Sequence, residues 1–199
     1  MTELWLIRHG PTAWNQEKRI QGRSDIGLSA EGVAAVLAWR LPRRLRRAAW
    51  LTSPLKRARQ TATLLHGAGY TVEPTLIEMD WGAYEGCRIS DLRAEGGEAF
   101  AASEARGLDF RPPGGESPRD VVERLSVLYR RLAQWADPVV AVSHKGILRA
   151  TMTLATGWDM THDLPRDVRR ADGLRLRLEP GGVAHVEPLT LGPSRRKAA

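Results

Sequence analysis

Two histidines in this 199-residue chain stand where short apolar runs end. Leu4-Trp5-Leu6-Ile7 stops at Arg8-His9-Gly10, and the run 138–142 stops at Ser143-His144-Lys145-Gly146. A buried strand that ends this way aims its last polar side chains into the crevice beyond the sheet, where open α/β sheets bind ligands. Arg8 puts a guanidinium beside His9, and Gly10 lets other groups approach the backbone closely. A phosphate dianion needs cationic groups with several donors, and guanidinium offers paired donors that match two phosphate oxygens. Arg8 and Arg57 suit that task. Arg57 lies in Ser53-Pro54-Leu55-Lys56-Arg57-Ala58, expected in the first turn of a helix, where free N–H groups and the dipole also favour an anion. His9 and His144 then read as a nucleophile and an electrophilic partner. No carboxylate stands at metal-ligand spacing with either histidine, so metal chemistry is not expected.

The elements that must hold these residues follow from periodicity. The spacing predicts strands at 4–7, 50–52, 71–73, 138–142, 174–178 and 183–186. A helix is expected over 29–41, with Ser29 as N-cap, Val33, Val36, Leu37 and Leu41 on its buried face, and Pro42 as its stop. Ser53-Pro54 supplies an N-cap and first-turn proline for a second helix ending near Gly67. Ser117-Pro118 opens a third, where Val121, Val122, Leu125, Leu128, Tyr129 and Leu132 follow i, i+3, i+4 spacing. A further helical pattern runs from Ile147 to Leu154. Strands alternating with helices imply an α/β fold, a three-layer α/β/α sandwich with a mostly parallel central sheet. The segment from about 86 to 116 breaks the alternation and is expected to cap the strand ends. The tail 192–199 is expected to be mobile.

Composition narrows the function classes. At this length one α/β domain spanning 1–199 can bury most of its apolar surface. Thirty Lys and Arg against twenty-three Asp and Glu give a net charge of +7, which favours anionic partners. The cations are scattered, apart from the clusters at 43–47 and 194–197, and no aromatic residues interleave with them as platforms for bases. Nucleic acid is therefore not the expected partner. Cys87 is the single cysteine, so an internal disulfide is excluded and a cytoplasmic setting fits. No apolar run is long enough for a membrane span.

Longer stretches resemble the histidine phosphatase superfamily, in its phosphoglycerate-mutase-like branch. They are Leu6-Ile7-Arg8-His9-Gly10-Pro11-Thr12-Ala13-Trp14-Asn15, Gln21-Gly22-Arg23-Ser24-Asp25-Ile26-Gly27-Leu28-Ser29 and Thr52-Ser53-Pro54-Leu55-Lys56-Arg57-Ala58-Arg59-Gln60-Thr61-Ala62. With them go Glu78-Met79-Asp80-Trp81-Gly82-Ala83-Tyr84-Glu85-Gly86, Pro113-Gly114-Gly115-Glu116-Ser117 and Val142-Ser143-His144-Lys145-Gly146. The resemblance implies that His9 becomes phosphohistidine, that Arg8, Arg57 and His144 bind the phosphoryl group with help from Asn15, and that Glu78 is the acid/base. It assigns Gln21 and Gly22 to a substrate loop. The chemistry agrees: the nucleophile must be neutral, and Arg8 and Arg57 repel its proton. His144 must donate, and beside phosphate it is expected to be protonated.

Two positions depart from the family pattern. Pro11 replaces a common glutamate, and Lys145 replaces a common glycine, adding a cation that could favour a more acidic substrate. The leading reading is a phosphomonoester hydrolase acting on a small phosphorylated metabolite without cofactors. The second reading is a cofactor-dependent phosphoglycerate mutase; such mutases tend to be longer and to carry Glu-Arg-His-Tyr-Gly where this chain has Glu78-Met79-Asp80-Trp81-Gly82. A third is a non-catalytic module that binds a phosphate ligand or nucleic acid. Specificity is expected from the cap and from Trp14, Trp81, Tyr84, Arg106 and Arg111. His66, His162 and His185 carry no motif and read as structural.

Overall fold

The computed structural model describes residues 1–192, so the 194–197 cluster and all but the first residue of the expected mobile tail lie outside the described residues. Among the described residues six strands form one sheet: β1 (Thr2–Arg8), β2 (Ala49–Thr52), β3 (Thr71–Val72), β4 (Val139–Ser143), β5 (Gly173–Glu179) and β6 (Gly182–Leu189). Their order is β3-β2-β4-β1-β5-β6. The first four are parallel, and β5 and β6 close the edge as an antiparallel hairpin.

The sheet is covered on both faces because its strands are apolar in both directions. Leu4, Leu6, Val139 and Ala141 point to one side, and Trp5, Ile7, Val140 and Val142 to the other. On the first side lie α5 (Pro118–Leu132) and α6 (Lys145–Thr156), contributing Leu125, Leu128, Leu132 and Ile147. Each such fully buried leucine contributes about 1.5–3 kcal/mol of transfer free energy. On the second side α3 (Lys56–His66) adds Ala58 and Ala62. The chain thus forms a three-layer α/β/α sandwich. Among the described residues no helix is long and apolar enough to cross a membrane.

Several boundaries differ from expectation. Helix α2 (Ala30–Ala38) is capped by Ser29 as foreseen but stops three residues before Leu41, and Leu37 is 57% exposed. The short helix buries Gly32 and Val36, whereas Leu37, though at helical spacing, found no core to enter. Helix α3 begins at Lys56 with Leu55 at its cap. Ser53 instead continues the line of β2, its N–H donating to the Val142 carbonyl at 2.9 Å. The short helices α1 (Ala13–Gln16) and α7 (Arg166–Arg170) had no clear periodic signal. In the expected cap, α4 (Ile89–Glu104) is broken by Gly97 at φ 51°.

Candidate active site

Strand register places the key residues level with one another. Arg8 lies opposite Ser143 and Thr52 opposite Val142, so His9, His144 and Ser53 emerge side by side at the C-terminal ends of β1, β4 and β2. The His9 N–H donates to the Ser143 carbonyl at 2.8 Å, and the two imidazole centroids are 5.2 Å apart.

His9 is oriented by its own turn. Its Nδ1 lies 2.7 Å from the Gly10 carbonyl, which can only accept, so Nδ1 carries the proton and Nε2 keeps its lone pair. Burial, then the charges of Arg8 and Arg57, hold its pKa well below the usual histidine value. His9 is thus pushed toward its neutral form, the direction expected from sequence, with desolvation as the larger cause. At His144, burial and the charge of Arg57, with smaller pushes from His9 and Arg8, also hold the pKa well down. A dianion beside it would oppose that push. Its Nε2 is 2.7 Å from the Ser53 hydroxyl, and its buried Nδ1 has no partner among the described residues.

Arg57 is fully buried and donates to the carbonyls of Ser24 at 2.8 Å and Gly22 at 2.7 Å. The Nε atoms of Arg57 and Arg8 are buried without a partner among the described residues. An unsatisfied buried donor costs about 1–3 kcal/mol, which an oxyanion in reach would relieve. Asn15 closes a capping box with Thr12, its Oδ1 accepting from the Thr12 N–H and hydroxyl, each at 3.1 Å. That leaves its amide N–H groups for another acceptor. Gln21 is buried, with its Oε1 unpartnered among the described residues. Gly22 takes φ 49°, and a Cβ there would fall 2.0 Å from Glu85 Oε1. Glu85 fastens this loop by accepting from the N–H groups of Arg23 at 2.6 Å and Ser24 at 2.8 Å.

Glu78 faces this cluster from the loop after β3. Its carboxylate accepts from the N–H groups of Met79 at 2.9 Å and Gly146 at 3.1 Å, the latter in the first turn of α6. Burial raises its pKa above the ordinary value against the opposing pull of those bonds and of Arg57 and Arg8. A Cβ at position 146 would sit 2.3 Å from Glu78 Oε1, so glycine there is what admits the carboxylate. Asp80 and Glu85 are otherwise engaged, Asp80 with Arg23 at 3.3 Å and the Gly82 N–H at 2.8 Å.

These groups open into one cavity of about 970 Å³, which brings together Arg8, His9, Asn15, Gln21, Gly22, Arg57, Glu78 and Lys145. His144 lies fully buried behind them. Of the expected specificity residues, Trp14 and Trp81 line the cavity. Arg111 is instead tied to Asp120 at 2.7 Å, and Tyr84 packs edge-on against Phe100. The cap contributes Ile89, Arg93, Ala101 and Phe110. Sequence reasoning missed Arg149, although its place one turn after Lys145 on a helix was a usable signal. It also set aside His162, which lines the cavity wall, whereas His66 stacks on Trp50 at 4.5 Å as a structural ring. Among the described residues no group of three or more His, Cys, Asp or Glu could hold a metal ion.

Comparison with known proteins agrees with this geometry. The profile of the histidine phosphatase superfamily (branch 1) matches residues 4–187. The chain is 33% identical to a metal-independent phosphoserine phosphatase of Arabidopsis thaliana, over 75% of its own length and 67% of the relative's. It is likewise 33% identical to a probable phosphoglycerate mutase of Salmonella paratyphi C, over 94% and 85%. A crystal structure of phosphoglycerate mutase from Thermus thermophilus superposes with a TM-score of 0.65 and 30% identity, covering 95% of this chain and 100% of that one. A mycobacterial glucosyl-3-phosphoglycerate phosphatase, at 23% identity and a TM-score of 0.74 over 96% of this chain and 100% of that one, shares the fold.

Proposed function

Because the chain belongs to the histidine phosphatase superfamily (branch 1), whose members act on small phosphorylated metabolites, we propose that it transfers a phosphoryl group through His9. The observation that carries this reading is the His9 ring itself: Nδ1 spent on the Gly10 carbonyl, Nε2 free, and Arg8 among the residues sharing its cavity. In the first step Nε2 attacks phosphorus, the bond to the ester oxygen breaks, and Glu78 gives that oxygen a proton. The raised proton affinity of Glu78 supports its holding that proton beforehand. Arg8, Arg57, Asn15 and the buried Nδ1 of His144 offer donors to the charge spread over the transferring oxygens.

The acceptor of the second step separates two readings. In the hydrolase, water attacks the phosphohistidine after Glu78 takes its proton, and inorganic phosphate leaves. Met79 favours this reading, since it is buried in the core where the mutase motif has arginine. In the mutase, a hydroxyl of a bound phosphoglycerate takes the phosphoryl group, and the bisphosphate so formed returns its other phosphoryl group to His9. The names of the relatives favour the mutase, which sequence reasoning had placed second. Phosphoenzyme formed with labelled phosphate and chased in ¹⁸O-water decides between them. Label released as phosphate carrying ¹⁸O marks the hydrolase, whereas label transferred to added glycerate phosphates marks the mutase. Absence of any labelled enzyme overturns phosphoryl transfer through His9.

A further inference from the structure

Arg57 is held at the site by a loop, and the loop is held by an acid that is not among the residues lining the cavity. The guanidinium donates through one terminal nitrogen to the Gly22 carbonyl at 2.7 Å and through the other to the Ser24 carbonyl at 2.8 Å. On the other side of the loop, the Glu85 carboxylate accepts from the Arg23 N–H at 2.6 Å, the Ser24 N–H at 2.8 Å and the Ser24 hydroxyl at 2.6 Å. Arg57 comes from α3 and Glu85 from the stretch between β3 and α4. Two separate parts of the chain thus clamp the same three residues.

The two sets of bonds meet in one peptide unit. The Gly22 carbonyl and the Arg23 N–H are its two ends, so guanidinium, peptide and carboxylate form a continuous chain in which each bond polarises the next. Among the described residues the Arg23 N–H has no other acceptor, whereas the Ser24 N–H is shared with the Gln21 carbonyl at 3.0 Å. Gly22, at φ 49°, leaves the space that the carboxylate fills, since a Cβ there would lie 2.0 Å from Oε1 and 2.5 Å from Cδ of Glu85. Burial opposes the charge of Arg57, as does Arg8 to a smaller extent, while Glu78, Asp25 and Glu85 favour that charge. Of these acids, Glu78 is bonded to the Met79 and Gly146 N–H groups and Asp25 to the Lys56 N–H at 2.6 Å. Glu85 alone is bonded to the peptide whose carbonyl Arg57 uses. With both terminal nitrogens so fixed the guanidinium plane is set, and its buried Nε is left without a partner among the described residues.

We propose that Glu85 is a positioning residue for phosphoryl transfer: acting through the peptide of Gly22 and Arg23 and through Ser24, it fixes the plane in which the Arg57 guanidinium meets the transferring oxygens. This rests on the reading of His9 as phosphoryl acceptor, and it holds for either second step.

The test follows p-nitrophenol release from p-nitrophenyl phosphate in a single turnover, which reports phosphorylation of His9 whatever the acceptor. Four proteins form the cycle: wild type, Glu85→Gln, Arg57→Ala and the double variant. Glu85→Gln keeps the shape of the side chain but turns an amide N–H toward a donor that needs an acceptor. It should slow phosphorylation by saturating ester by about 10–10²-fold, as a misplaced catalytic group does. In the Arg57→Ala background the same change should cost about twofold or less, because no guanidinium is left to misplace. Where Arg57→Ala turns over too slowly to follow, the affinity of the four proteins for inorganic phosphate should show the same coupling by calorimetry. Glu85→Asp, which keeps the charge but withdraws it by one methylene, carries the cycle if Glu85→Gln fails to fold, and failure of both overturns the proposal. No loss in Glu85→Gln, or equal losses with and without Arg57, also overturns it. A wild-type chain that releases no p-nitrophenol and takes no label on His9 overturns the phosphoryl-transfer reading instead.

Discussion

The two walls of the cavity are built from different materials. At the strand ends, His9 and Arg57 sit in the sandwich itself, with His144 behind them, each buried and each oriented by backbone carbonyls or by a buried serine. Across from them the 86–116 segment is a mostly exposed helix, broken at Gly97 and held by Phe100 packing edge-on with Phe110 at 6.2 Å. One of its charged contacts, Arg93 with Glu104, is an exposed pair at 2.7 Å. One wall can hold atoms to the tolerance that bond-making requires, because moving them would disturb the sheet. The other can change residues at little cost to the fold, which suits the recognition of what the phosphoryl group is attached to.

The sharpest way to break this contrast is His9→Ala. It should lower kcat/KM by at least about 10³-fold on every ester, as loss of a covalent nucleophile does. Activity that survives, or label that stays on the variant protein, would remove the strand-end wall from the chemistry. Next comes Glu78→Gln. It should slow alkyl phosphates by about 10²–10³-fold, because an alkoxide needs the proton, and p-nitrophenyl phosphate far less. Equal losses during the burst would deny Glu78 the role of general acid.

The same wall should make stability depend on pH. His9 and His144 are held neutral when folded, while unfolded histidines take up protons near pH 6.5. Unfolding therefore binds protons, and stability present above that value is lost as pH falls below it, by roughly 1 kcal/mol per histidine at pH 5.5. Glu78 works the opposite way, its raised pKa favouring the folded state as pH falls toward its ordinary range. Thermal melts between pH 8 and 5.5 should decline, and His144→Ala should flatten the decline. A flat wild-type profile would mean that the histidines are not desolvated in the folded protein.

The smallest effect belongs to the cap. Arg93→Ala removes an exposed pair screened by water and salt, and should alter kcat/KM for phenyl phosphate by less than about threefold. A loss comparable with that of Glu78→Gln would show that the cap shares in the chemistry, and the contrast between the walls would fail.

The same contrast explains what could be read from sequence. Strand β1 and the run before His144 are apolar on both faces, so their positions and polar ends were legible without a structure. Helix α5 was as clear, since Ser117 and Asp120 cap it and Val121, Leu125, Leu128, Tyr129 and Leu132 enter the core. That His9 and Arg57 would meet at one cavity was legible because each occupies a fixed offset from such a strand or helix. The downward push on the proton affinity of His144 was not, because it turns on burial and on Arg57, which approaches from a different element. Leu37 misled because spacing shows which face a residue shares and not whether anything packs against it. Arg149 went unnoticed because it belongs to none of the motifs read from the sequence.

One bond at the strand end also fixes a regiochemical outcome. Imidazole can be phosphorylated on either nitrogen, and the two isomers differ in hydrolytic lifetime and in ³¹P chemical shift. With Nδ1 donating to the Gly10 carbonyl at 2.7 Å, the lone pair lies on the nitrogen farther from the backbone. The phosphoenzyme should therefore be the τ isomer alone, and the carbonyl of a glycine acts as the element that selects it.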